Sequence, residues 1–266
     1  MGIRIARRAA ITGALSSGAL VLLGAASAPS LAVATGDVSS PKPTVVLVHG
    51  AWADSSSWSP VMERLRKDGY PVRAIANPLQ GLTSDSAYVS SYLATIDGPV
   101  VLVGHSYGGA VITNSGASDP DVKALVYIAA FIPAQGETVG ELAAKSSSPI
   151  PLISTPVPDG TDVSIDPAHF REVGDVDPTA AADLAAVQRP ANTRAVSDAS
   201  VAEAFRTVPS WSLITRQDHA ITPDVQRFMS ERAGSHTEEV NSSHAVMISR
   251  PDVVTHVIEE AARSTR

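Results

Sequence analysis

Cysteine is absent from all 266 residues of this chain. That absence excludes disulfides, a thiolate nucleophile, cysteine-ligated zinc and a lipoprotein anchor together. Basic charge is also short: 20 Lys and Arg stand against 27 Asp and Glu, a formal charge of −7, which argues against nucleic acid as a partner. Metal-ligand spacing is missing, since neither His169 nor His219 has a partner histidine or a carboxylate cluster at a ligating interval. The glycines at 104, 108 and 109 lead into no Lys-Ser or Lys-Thr and so form no phosphate loop. No internal repeat is visible. The expected chemistry therefore needs neither metal nor cofactor.

With 44% hydrophobic residues, a chain of this length can bury a sizeable core without disulfides. Residues 1–34 read as an export signal: Arg4, Arg7 and Arg8, an apolar stretch from Ala9 to Ala28, then Ala32-Val33-Ala34 as a small-x-small cleavage site. Paired Arg7-Arg8 suggests the twin-arginine route. A retained signal anchor is the competing reading, because the stretch is long enough to span a bilayer. Its glycines, serines and Ala-x-Ala ending favour cleavage. The expectation is a secreted protein with no stable membrane association and a formal charge of about −10 after removal of the three arginines. A linker over 35–43 and one domain over 44–266 complete the organisation.

The run Thr44-Val45-Val46-Leu47-Val48 has the β-branched content of a buried strand and stops at His49-Gly50. A helix is expected from Trp58 to Asp68, with Pro60 near its start, Gly69 past its end and Val61 and Leu65 inward. A strand over Tyr70 to Ile75 follows, then a helix capped by Ser84 or Asp85 and running to Ile96. Further strands are expected at 100–103 and 124–130, with a helix through Val111 and Ile112 between them. Such alternation implies a parallel sheet. Residues 133–209 interrupt it with many prolines, an alanine-rich stretch around 179–187 and no strong strand, and read as a cap inserted over the active-site end of the sheet. Within the cap, Ser146 to Pro158 reads as extended or mobile. The pattern resumes with a strand at 211–215, a helix at 223–233, a short strand at 237–240 and a last helix at 252–263.

The 100–103 strand leads into Gly104-His105-Ser106-Tyr107-Gly108, the pattern of a nucleophile elbow. Flanking glycines allow a turn sharp enough to project Ser106 from the sheet edge. A serine hydroxyl needs a base within reach and a third group to orient that base. His244, after the 237–240 strand, is the candidate base, and Asp218, after the 211–215 strand, the candidate acid. The rival acid, Asp224, sits at a helix start, where a carboxylate is common for dipole reasons. Backbone amides of Tyr107 and Ala51 are the expected oxyanion donors, with Gly50 permitting close approach. His49 and His105 are expected to fix loops rather than to catalyse. Trp52 and Trp58 either line an acyl pocket or pack the loop, and Phe131, Ile132 and Met247 face the same choice. Trp52, Phe131 and Met247 are the substrate-binding candidates.

Across residues 44–263 these motifs resemble the α/β-hydrolase superfamily, and more closely its branch of plant methylesterases, hydroxynitrile lyases and small bacterial esterases. The resemblance is carried by Val-Leu-Val-His-Gly-Ala-Trp at 46–52, Gly-His-Ser-Tyr-Gly-Gly at 104–109, Asp218, and Ser-His-Ala-Val-Met-Ile-Ser-Arg-Pro at 243–251. It implies an α/β fold with a mostly parallel sheet, helices on its flanks and an inserted cap. It also implies Ser106 as nucleophile, His244 as base, Asp218 as its orienter, and the Ala51 and Tyr107 amides as oxyanion hole. Lyases of that branch carry threonine after the first histidine and lysine after the catalytic one. This chain has Gly50 and Ala245 there, so hydrolysis of a small, apolar or aromatic carboxylic ester is expected. Hydrolysis of another activated bond such as a lactone or amide, hydroxynitrile cleavage, or a ligand receptor on the same fold stand as alternatives.

Overall fold

Residues 41–146, 150–172, 174 and 176–265 are described by a computed structural model. The export signal expected over 1–34 and most of the expected linker lie outside them. From its start, the described chain alternates β1 (Thr44–Val48), α1 (Ser59–Lys67), β2 (Val72–Ile75), α2 (Leu82–Leu93), β3 (Val100–His105), α3 (Tyr107–Ser115) and β4 (Val122–Ile128). Next come α4 (Val139–Ala143), β5 (Leu152–Val157), β6 (Gly160–Ile165), α5 (Pro178–Val187), β7 (Ala191–Asn192) and α6 (Arg194–Ser197). The chain then returns through β8 (Ser210–Thr215), α7 (Pro223–Ala233), β9 (His236–Val240), α8 (Val246–Ser249) and α9 (Pro251–Arg263).

Six strands form a wholly parallel sheet in the order β2-β1-β3-β4-β8-β9. Both faces are covered, which is why the central strands are apolar at every position rather than at alternate ones. Val46, Val48 and Leu102 pack with Leu82, Val89 and Ile112 on one face. Val45, Leu47, Val101 and Val103 pack with Val61, Leu65, Val254 and Ile258 on the other. Sandwiched in this way, the strand ends cannot shift without opening the core. The loops that leave those ends therefore hold fixed positions.

Two expectations need correction. Helix α2 begins at Leu82 with Gly81 as its N-cap and no side-chain cap. Asp85 lies inside the first turn, fully buried, where it accepts from the Gln80 amide and the Tyr107 hydroxyl. Tertiary demand has overridden local capping. Nor is the region 133–209 without strands: β5, β6 and β7 form a three-stranded antiparallel sheet. Pro156 lies within β5, but β5 is the edge of this sheet, where a residue lacking an N–H is tolerated. The hairpin joins Val157 to Gly160 across Pro158-Asp159, a turn composition present in the sequence. The alanine-rich stretch is α5, capped by Asp177, whose side chain accepts from the Thr179 and Ala180 amides.

Candidate active site

Strand β3 runs straight into α3, and Ser106 at the junction has φ 53° and ψ −122°. For a residue with a side chain that backbone costs about 1–3 kcal/mol, a strain typical of functional turns. It persists because the neighbours enforce it. The Ser106 amide donates to Ile128 O, and its carbonyl accepts from the Phe131 and Gly109 amides. A Cβ on Gly104 would stand 2.5 Å from Gly108 O, and one on Gly108 would stand 2.4 Å from Val48 O. No side chain fits at either place.

Asp218 and His244 meet across the ends of β8 and β9. His244 Nδ1 and Asp218 Oδ2 are 2.8 Å apart, both residues being buried. The carboxylate is well supplied with donors. Its Oδ2 also accepts from Thr215 Oγ1 and Gln226 Nε2 at 2.9 Å each, and its Oδ1 from the Ala220 and Ile221 amides at 2.8 and 2.9 Å. Burial alone would raise the carboxyl pKa. The charge and hydrogen bond of His244, with the Ile221 and Thr215 donors, outweigh it and hold Asp218 below the ordinary carboxylate range. An ionised Asp218 accepts the Nδ1 proton, so the tautomer assigned to neutral His244 leaves a lone pair on Nε2. Asp224, the rival acid, is exposed and paired with Arg227 at 2.8 Å.

Gly50 packs under the elbow, where a Cβ would lie 2.8 Å from that of Ser106. The Ala51 and Tyr107 amides have no hydrogen-bond partner among the described residues. Trp52 follows with a positive φ of 61°, and its indole N–H donates to Val163 O of β6 at 2.9 Å. His49 Nε2 accepts from the Asn77 amide at 3.0 Å, which places the ring proton on Nδ1, 2.9 Å from Gly50 O. Burial pushes the His49 pKa down to about 4. His105, lowered to about 3 by burial and then by the nearby His244 charge, has its Nε2 2.9 Å from His244 O. Kept neutral, both histidines tie loops together.

Two cavities border His244. The larger, about 400 Å³, is lined by Ser106, Tyr107, Ala51, Trp52, Phe131 and residues of β5, β6 and α6. The smaller, about 90 Å³, is lined by Trp52, His244, Met247 and residues of β6 and α5. Nearly all of both linings is apolar. The structure thus places Ser106, His244, Ala51, Tyr107, Trp52 and Phe131 on one cavity and Met247 on its neighbour. Sequence reasoning missed Gln226, which backs Asp218 from α7, and the cap residues Val163, Leu184 and Val196. For the hairpin the Pro158-Asp159-Gly160 turn was an available signal. Gln226 had none, because only the packing of α7 on β8 brings it to Asp218. Among the described residues no group of three or more His, Cys, Asp or Glu could hold a metal ion, and no helix is long and apolar enough to cross a membrane.

Residues 45–257 match the model of the alpha/beta hydrolase family. A carbendazim hydrolyzing esterase from Nocardioides sp. (strain SG-4G) is 34% identical over 119 residues, 39% of this chain and 48% of that protein. The chain therefore spans about half the length of this curated relative. A pyrethroid hydrolase from Sphingobium faniae JZ-2 superposes with a TM-score of 0.67 at 22% identity, covering 84% of this chain and 98% of that one. The methylesterase MES16 from Arabidopsis gives a TM-score of 0.69 at 19% identity, over 84% and 99%. At such identities these are likenesses of fold.

Proposed function

The chain belongs to the alpha/beta hydrolase family, and we propose that it is an exported serine esterase acting on small apolar carboxylic esters. What carries the reading is the 2.8 Å pair of His244 Nδ1 and Asp218 Oδ2, beside a cavity that Ser106 and His244 both line. His244 Nε2 takes the Ser106 proton as the hydroxyl attacks the ester carbonyl, while the Ala51 and Tyr107 amides receive the developing oxyanion. The imidazolium, steadied by Asp218, passes the proton to the departing alcohol. Water then repeats the path on the acyl-enzyme. The apolar linings favour apolar substrates, and the esterase name of the Nocardioides relative agrees with ester cleavage. Export is supported by the pattern of residues 1–34 alone.

Cyanide release by the lyase route calls for a cation beside the base. No lysine or arginine lines either cavity among the described residues. Steady-state hydrolysis of p-nitrophenyl esters from acetate to dodecanoate, by the wild type beside Ser106→Ala, tests the reading. Turnover lost in the variant, together with its labelling by a fluorophosphonate, is the expected result. Equal turnover by both proteins would sink it.

A further inference from the structure

A carboxyl group with no accessible surface needs a reason to stand in a core, and Asp85 in the first turn of α2 is such a group. Its partners are neutral donors, the Tyr107 hydroxyl at 2.7 Å and the Gln80 amide at 3.1 Å. Burial pushes the Asp85 pKa up, and these bonds offset that only in part. Burial, and then the Asp85 charge, also pushes the Tyr107 phenol far above its ordinary range, so the proton between them stays on Tyr107. Replacing both partners by apolar groups of the same shape is nearly neutral for folding in general, so stability alone does not call for the pair. Asp85 lines neither cavity at His244. Any part it takes in the reaction must run through Tyr107.

The Tyr107 amide belongs to the peptide joining Ser106 to Tyr107, a rigid plane in which the N–H points opposite to the C=O. One end of that plane is held at the Ser106 carbonyl, which accepts from the Gly109 amide at 2.9 Å and the Phe131 amide at 3.1 Å. The other end is the Tyr107 backbone, whose side chain lies buried in the core with Leu82, Val89 and Ala110 and is tied at its far end to Asp85. Helix α2, which carries the tie, is itself held at its start, where the Thr83 amide donates to Asp198 Oδ2 at 3.2 Å. The N–H cannot turn away from the cavity unless the ring gives up its hydroxyl bond or the carbonyl its donors. Building on the serine esterase reading, we propose that Asp85 is a positioning residue for acyl transfer: by anchoring the Tyr107 hydroxyl it sets the direction of the Tyr107 amide, one of the two donors to the oxyanion. Hydrogen bonds weaken steeply as their angle worsens. A tilted amide therefore costs the tetrahedral intermediate, where the negative charge develops, more than it costs the bound ester.

The test reads kcat on p-nitrophenyl butyrate per active site titrated with a fluorophosphonate, beside the thermal midpoint and the affinity for a trifluoromethyl ketone, whose adduct with Ser106 carries the same oxyanion. Tyr107→Phe removes the hydroxyl and keeps both ring and amide. Its kcat falls about 10-fold, short of the roughly 100-fold that follows outright loss of such a donor. KM stays as in the wild type, and the ketone binds more weakly by the same factor as kcat/KM falls. Asp85→Asn keeps an acceptor for the hydroxyl and recovers most of the loss seen in Asp85→Leu. Asp85→Leu combined with Tyr107→Phe replaces both partners by apolar groups, so the thermal midpoint returns towards the wild type while kcat and ketone affinity stay low. Recovery of kcat along with the midpoint, or a Tyr107→Phe enzyme with wild-type kcat per titrated site, would overturn the positioning role and leave the esterase reading standing. A wild type that turns over no ester, although fluorophosphonate still labels Ser106, would overturn the esterase reading and the positioning role with it. Should Asp85→Leu fail to fold by itself, Tyr107→Phe and the double variant decide the matter.

Discussion

The parallel sheet and the segment that covers it meet at the same site but are built on different terms. Val45, Leu47, Val101, Val103 and Val126 have no accessible surface, and loops at the ends of these strands carry Ala51 and Ser106. In β5 of the cap, all but one of the six residues are exposed. Near the site the cap meets the sheet through buried apolar residues, Val139, Leu142, Ala191 and Ala195, and through a handful of hydrogen bonds. Trp52 Nε1 donates to Val163 O, Arg189 to Asn77 O, and the Asn192 amide to Leu79 O. Each is worth about 1 kcal/mol net, whereas burying one large aliphatic side chain contributes about 2–3 kcal/mol. On the proposed function, the sheet fixes where bonds are broken and the cap sets which molecule is held there.

If the chemistry resides in the sheet-borne loops, the largest effect belongs to Asp218→Asn. The amide can no longer accept the Nδ1 proton as an anion, so the wrong His244 tautomer is favoured. A loss of about four orders of magnitude in kcat is expected, with KM and ester preference nearly unchanged. Turnover within tenfold of the wild type would show that the acid lies elsewhere and break the division between sheet and cap. Gln226→Leu is the intermediate case. It removes a donor 2.9 Å from Asp218 Oδ2 and leaves other partners unpaired, among them the Thr215 amide. Asp218 is held below its unfolded pKa, so its stabilising contribution is complete above the ordinary carboxylate range and is lost as pH falls through the depressed value. Loss of the donor raises that value. Unfolding and inactivation on acidification are then expected to begin at a higher pH than in the wild type, with kcat at neutral pH lowered about tenfold. An unchanged acid limb would show that Gln226 contributes packing alone.

Sheet and cap also differ in how far their sequences declare them. Strand β3, the elbow and the order Ser106, Asp218, His244 were legible because a buried parallel strand has an unbroken apolar run and a sharp turn demands glycine at fixed offsets. The helix expected at 223–233 is found from Pro223 to Ala233. Cap strands were not legible, since β5 is an edge with Ser154, Thr155 and Pro156 in place of alternation. Asp85 misled for a different reason. Its side chain serves Tyr107, 22 residues away, and a contact made by packing two helices leaves no local trace.

Gly160 supplies the smallest and most diagnostic test. It closes the β5–β6 turn at φ 135°, a conformation close to exclusive to glycine. An alanine Cβ would meet the Asn192 side chain at no less than 3.4 Å. The penalty for Gly160→Ala is therefore backbone strain of about 1–3 kcal/mol rather than a clash. Where that strain is felt depends on whether the hairpin unfolds with the sheet. If the whole domain were one cooperative unit, each kcal/mol would lower the thermal midpoint by roughly 2–4 °C. If the cap opens as a separate, weaker unit, the strain is relieved by local opening and the global midpoint barely moves. The exposure of β5, which buries none of its six residues, favours local opening of the hairpin and so the second outcome. We expect a midpoint within about 1 °C of the wild type, faster amide exchange confined to 152–165, and kcat/KM reduced about threefold on bulky acyl esters but not on acetate. A midpoint lowered in full proportion to the strain, with exchange unchanged in the hairpin, would mean that cap and sheet stand or fall together. Specificity could then not be altered in this protein without cost to its core.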